Sequence, residues 1–136
     1  MATPDQIVAG KRRGGTVVGW KLDRGRQPDE LLAEVPPRYE TIVADHVTLV
    51  PKVASDTPLP HPVSAQAIGQ VDDGRGVQAL IVEIDGGTDR PGGGTYHITW
   101  SLADGRTAKE SNEALAACEW QRFDEPLPLR LVPARF

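Results

Sequence analysis

Twelve prolines and fourteen glycines interrupt a chain of 136 residues, leaving few stretches long enough for a sustained helix. Proline removes a backbone donor and glycine is costly to order, so both punctuate elements rather than fill them. Between the interruptions lie short runs rich in Val, Ile, Leu and Thr, at residues 16–22, 45–50, 77–84 and 95–102. Runs of that length and composition predict strands. The chain is therefore expected to be strand-rich or mixed, not a helix bundle.

The remaining elements follow from local signals. Met1 to Gly15 reads as a flexible lead-in that carries Lys11, Arg12 and Arg13, leaving one domain over residues 16–136. These three cations form either a solvated tail or an arm that contacts phosphate. A polar turn is expected over Asp23–Gln27. Pro28, Asp29 and Glu30 mark a helix start, and Pro36-Pro37 ends that helix. Tyr39–Ala44 leads into a strand at Asp45–Val50 that Pro51 closes. Val63–Val71 and Val77–Ile84 form a hairpin. The glycine-rich stretch from Gly86 to Gly94 lacks the Gly-Lys-Ser/Thr ending of a phosphate-binding loop, so it reads as a loop flanking a site. Ser111 is expected to cap a helix over Asn112–Trp120. The alternating tail Leu127–Val132 is a last edge strand. The sum is α+β, with two helices on an antiparallel or mixed sheet.

Charge and composition narrow the function. The formal net charge of −4 argues against holding long duplex nucleic acid, which needs a basic face, but not against one small anionic substrate. A single cysteine, Cys118, removes an internal disulfide and a multi-cysteine metal cluster from consideration. It reads as a core or half-buried thiol in a helix. No apolar run approaches the length of a membrane span, and the N-terminus has no apolar leader, so a cytoplasmic protein with no membrane partner is expected.

Two tetrapeptides match, His46-Val47-Thr48-Leu49 and His97-Ile98-Thr99-Trp100, and each falls in an expected strand. The two-residue period of a strand sets His and Thr on one face and turns Val47 and Ile98 to the other. Two such strands side by side would gather two imidazoles and two hydroxyls. A neutral imidazole removes a proton from water, a protonated one supplies it to a leaving oxygen, and hydroxyls donate to non-bridging phosphate oxygens. A metal site would need a further acid or thiol beside the histidines. Asp45 adjoins His46 but is expected on the opposite strand face. His61, between two prolines, reads as exposed and incidental. Trp20 reads as core.

At these residues the chain resembles the two-histidine (2H) phosphoesterase superfamily, marked by paired His-x-Thr/Ser motifs. The likeness extends from the Gly19-Trp20-Lys21-Leu22 strand through Pro36-Pro37-Arg38-Tyr39 and both motifs to Ala108-Lys109-Glu110-Ser111-Asn112. It is nearest to the small bacterial RNA-repair-like "Swiss Army Knife" branch, similar to the cyclic phosphodiesterase domain of fungal and plant tRNA ligases. The resemblance implies a two-lobed α+β fold with a central cleft and pseudo-twofold symmetry. It implies metal-independent hydrolysis of a 2′,3′-cyclic phosphate on a nucleotide or RNA terminus, with no cofactor.

By that resemblance His46 and His97 are the catalytic acid/base pair and Thr48 and Thr99 the phosphate donors. His97 would activate water and His46 protonate the leaving group. Trp100, Lys109 and Ser111 are candidate substrate-binding residues. Trp100 stands where the family often has an aliphatic residue, so it is either core or a base-stacking surface. A monomer is expected. The rival readings are a non-catalytic module that binds nucleotides or RNA ends, and a hydrolase of cyclic oligonucleotides.

Overall fold

The computed structural model describes residues 2–23 and 27–136. The turn expected over Asp23–Gln27 falls largely on residues 24–26, outside the described part. Among the described residues, three helices and eight strands occur in the order α1 (Pro4–Ala9), β1 (Arg13–Leu22), α2 (Gln27–Glu34), β2 (Thr41–Ile42), β3 (His46–Val53), β4 (Ala65–Asp72), β5 (Val77–Ile84), β6 (His97–Leu102), α3 (Glu110–Ala117), β7 (Gln121–Leu129) and β8 (Leu131–Arg135). The α+β reading holds, with one helix more than expected. No helix among the described residues is long and apolar enough to cross a membrane.

All strand pairs are antiparallel, in the order β7-β4-β5-β6-β3-β1-β8, and β2 pairs separately with β6. The two outermost strands, β7 and β8, are consecutive in the chain and separated by Arg130 alone. A flat sheet cannot bring its opposite edges within one residue, so this sheet is curled into a half-barrel. The tail therefore forms two edge strands rather than one. Prolines at 126, 128 and 133 fit these edge positions, where a missing donor is tolerated.

The core lies mainly inside the curl. Trp20, Val47, Leu80, Ile98 and Trp100 are completely buried there, with Leu31 and Val35 arriving from α2 and its end. A smaller cluster on the other face packs Ala114 and Leu115 of α3 against Ala79 and Ile81 of β5. Gly19 lets β1 approach β3 closely. A Cβ there would lie 2.2 Å from the Val47 carbonyl oxygen, a backbone atom that cannot yield without separating the strands.

Three local expectations are corrected. The lead-in contains α1, because Thr3 and Gln6 form a capping box and Ile7 is buried in the core. Pro51 does not close its strand; β3 continues to Val53 along β1, with Lys52 in a left-handed conformation (φ 56°). The run Tyr39–Ala44 makes only the two-residue strand β2. Four residues lie between Ile42 and Val47 while only two lie between their partners Ser101 and Ile98, so two extra residues bulge at the approach to β3. Ala44, at φ 42°, sits in that bulge.

Candidate active site

Strands β3 and β6 meet at a single residue pair, Val47 with Ile98. That register sets Thr48 across from His97 and His46 across from Thr99, with all four side chains on the face away from the main core. The two histidines become diagonal neighbours, which in an antiparallel ladder have Cβ atoms about 7–8 Å apart. One phosphate is small enough to touch both rings. The register partners of His97 and Thr99 are Ile81 and Ala79, which α3 covers. The open part of the face beside α3 forms a cavity of about 550 Å³ lined by His46, Thr48, His97 and Thr99. The strand periodicity of both motifs thus leads to one shared pocket.

The two imidazoles have different supports. His97 is buried, and its Nδ1 lies 2.8 Å from the Thr95 carbonyl oxygen. A carbonyl only accepts, so Nδ1 carries the proton and Nε2 keeps a lone pair. Burial lowers the His97 pKa below its ordinary 6.5; the Thr95 bond opposes this, while Arg90 and His46 reinforce it. His97 is therefore held neutral. His46 is less buried, and its Nδ1 lies 3.1 Å from Asp45 Oδ2. The expectation that Asp45 turns away from His46 is corrected: the bulge at Ala44 breaks strict alternation, so the carboxylate reaches its neighbour's ring. Lys21 Nζ stands 3.5 Å from the same oxygen. The Phe136 ring covers His46 at a centroid distance of 4.6 Å, with Lys21 Nζ 5.4 Å from that ring's centroid.

The hydroxyls also differ. Thr99 is buried and its Oγ1 lies 2.9 Å from Ser111 Oγ. Ser111 is itself fully buried inside the first turn of α3 and does not line the pocket. It is not the expected helix cap; Lys109 occupies the cap position without a side-chain cap bond. Trp100 does not line the pocket either. It is completely buried, and its Nε1 donates to the Val35 carbonyl at 2.8 Å. Lys109 does line the pocket.

Sequence reasoning missed Arg90, Lys52, Asn112 and Phe136, all of which line the pocket. Arg90 comes from the glycine-rich loop, where it is the only cation. It donates from Nε to the Gly93 carbonyl at 3.1 Å and from Nη2 to Asn112 Oδ1 at 3.3 Å. These bonds hold the guanidinium at the pocket, where burial lowers its pKa from the ordinary value. Arg90 was detectable as a lone cation between glycines. Phe136 gave no signal, because it comes beside His46 only through the pairing of β8 and β3 with the same strand, β1.

Arg90, Lys52 and Lys109 give the pocket three cations, and no Asp or Glu lines it among the described residues. An overall acidic chain thus presents a locally cationic concavity, which favours an anionic ligand. Among the described residues no three of His, Cys, Asp and Glu cluster as metal ligands. A larger cavity of about 710 Å³ lies elsewhere, among Glu34, Pro36, Arg38, Phe123, Asp124 and Glu125. It has no histidine and no nucleophile beside a base, so size does not make it the better candidate.

His61 is half-buried with an unpartnered Nδ1, rather than exposed. Cys118 is half-buried at the end of α3, and Trp20 is fully buried in the core. Comparison of the chain with protein-family models, with curated proteins and with solved structures found no match in any of the three.

Proposed function

We propose that this chain is a metal-independent two-histidine phosphodiesterase that hydrolyses a 2′,3′-cyclic phosphate. The observation that carries the reading is the unequal support of two imidazoles that share one cationic pocket. His97, neutral with Nε2 unprotonated, has the form of a general base. His46, backed by a carboxylate that counters positive charge on its ring, has the form of a general acid.

In the proposed reaction His97 Nε2 takes a proton from water as the water oxygen bonds to phosphorus. The bond from phosphorus to one ribose oxygen breaks, and His46 Nε2 gives that oxygen its proton. His97 ends protonated and His46 neutral, and exchange with solvent restores both. Thr48 and Thr99 donate to the non-bridging oxygens, with Arg90 and Lys109 adding positive charge. The finer fold proposal is a two-lobed arrangement. One lobe holds β1, β3 and β8, the other β4, β5, β6 and β7, and the single Val47–Ile98 pair is the seam between them.

The test is turnover of 2′,3′-cyclic nucleotides in EDTA. Wild-type hydrolysis, lost in His46→Ala and in His97→Ala, supports the proposal. Nucleotide binding without turnover of any cyclic phosphate would instead favour a non-catalytic module. Turnover confined to cyclic oligonucleotides would move the substrate while keeping the chemistry. The expected setting is cytoplasmic, with a monomer acting on a nucleotide or RNA terminus.

A further inference from the structure

A further cavity of about 370 Å³ is lined by Lys11, Arg12, Arg13, Pro51 and Lys52. Pro51 and Lys52 also line the histidine pocket, so the two concavities share a wall. Four of its five lining residues are cations and none is acidic. Arg12 is paired with Asp56 at 2.5 Å. No acidic side chain among the described residues pairs with Lys11, Arg13 or Lys52.

These cations stand on ordered backbone. Lys11 follows α1, which is anchored by buried Ile7, and its amide donates to the Val8 carbonyl at 3.4 Å. The Arg12 carbonyl accepts from the Ala54 amide at 2.8 Å. Arg13 opens β1 opposite Val53, where both Arg13 and Thr16 register with Val53 across a bulge. Gly14 permits that bulge, since a Cβ there would lie 2.4 Å from the Val53 carbonyl oxygen. Such anchoring is not the geometry of a solvated tail.

We propose that Lys11, Arg13 and Lys52 form a second phosphate subsite, so that the preferred substrate carries a further phosphate beside the cyclic one. The inference rests on the phosphodiesterase reading. On a nucleotide with a 2′,3′-cyclic phosphate, the next phosphate is on the 5′ oxygen. It is either a terminal 5′-phosphate or the first linkage of an RNA strand. Lys52, common to both cavities, lies between the two phosphates.

The test compares three substrates in wild type and in Lys11→Ala/Arg13→Ala: a 2′,3′-cyclic nucleotide, its 5′-phosphorylated form, and a short single-stranded RNA with a 2′,3′-cyclic end. Wild type is expected to favour at least one doubly phosphorylated substrate by about tenfold or more in kcat/KM. The double variant loses that preference, keeps the plain cyclic nucleotide within about twofold, and shows a weaker salt dependence, since each lost phosphate contact removes released counterions. A gain with the 5′-phosphorylated nucleotide identifies a single phosphate group as sufficient; a gain with RNA alone identifies the strand. Equal rates on all three substrates, or equal losses in the variant, overturn the subsite. Fluorescence anisotropy of the labelled RNA on His97→Ala, with and without the double substitution, separates the two claims. Weakened binding of the RNA supports the subsite even if no cyclic phosphate turns over. Unchanged binding overturns it even if turnover is found.

Discussion

The Asp45 carboxylate lies 3.1 Å from Nδ1 of its own neighbour, His46, because a bulge at Ala44 breaks the alternation of the strand. The contact fixes the ring with Nδ1 protonated and Nε2 free to face the pocket. If His46 is the general acid, His46→Ala lowers kcat by about 10²–10⁴-fold on a 2′,3′-cyclic nucleotide. Asp45→Ala keeps the imidazole but loosens it, and kcat falls by about tenfold, a smaller share of the same acid–base contribution. A nitrophenyl phosphodiester needs little protonation of its leaving group, so both variants should approach wild-type rates on it. Equal losses on the two substrates would remove the general-acid role.

His97 predicts the pH dependence. Its folded pKa is lowered, chiefly by burial, so the neutral base persists below pH 6.5. The acid limb of kcat/KM is therefore expected below the ordinary histidine range, and Arg90→Gln, which removes a nearby positive charge, shifts it upward. Stability follows the same linkage. Between the folded value and the unfolded value near 6.5, the unfolded chain binds more protons, so stability declines as pH falls through that window. His97→Gln should flatten that part of a urea-midpoint profile against pH.

Both chemical motifs were legible in the sequence, because a strand's two-residue period is a local property. Positions Thr16–Leu22, Asp45–Val50, Val77–Ile84 and Thr95–Leu102 carried enough β-branched and aliphatic residues to mark strands; observed β1 and β5 contain their runs whole, while β3 starts one residue and β6 two residues later than expected. What failed was non-local. The role of Pro51–Lys52 as continuing strand depends on β1 lying beside it. The division of the tail into β7 and β8 depends on the curl of the whole sheet. Asp45 was misplaced because alternation cannot foresee a bulge, and Phe136 because its neighbour His46 is distant in sequence. Trp100 was open to two readings, and its complete burial makes it core.

Ser111 reaches the pocket only by way of Thr99. Their hydroxyls form a buried pair at 2.9 Å, which orients Thr99 Oγ1 beside the pocket. Ser111→Ala removes one hydrogen bond and is expected to cost about 0.5–1.5 kcal/mol, read from urea denaturation. The same variant should reduce kcat/KM by a few-fold, because Thr99 remains but is less restrained. In a Thr99→Val background, Ser111→Ala should give little further loss of kcat/KM if Ser111 serves Thr99 alone. Fully additive losses in this double-mutant cycle would show that the two act separately.

Trp100 ties β6 to the end of α2 through its 2.8 Å bond to the Val35 carbonyl, within a completely buried indole environment. Trp100→Phe leaves an aromatic ring but removes that donor and part of the packed volume. Losing the donor exposes the cost of a buried carbonyl without its partner, about 1–3 kcal/mol, to which the smaller ring adds a packing defect. The expected result is a clear fall in the urea midpoint with kcat/KM per folded molecule nearly unchanged below the transition. A stacking role would give the opposite pattern: a raised KM for purine over pyrimidine substrates at little cost in stability. Because Trp100 points from the strand into the core while His97 and Thr99 point into the pocket, one strand divides packing from chemistry by alternate residues.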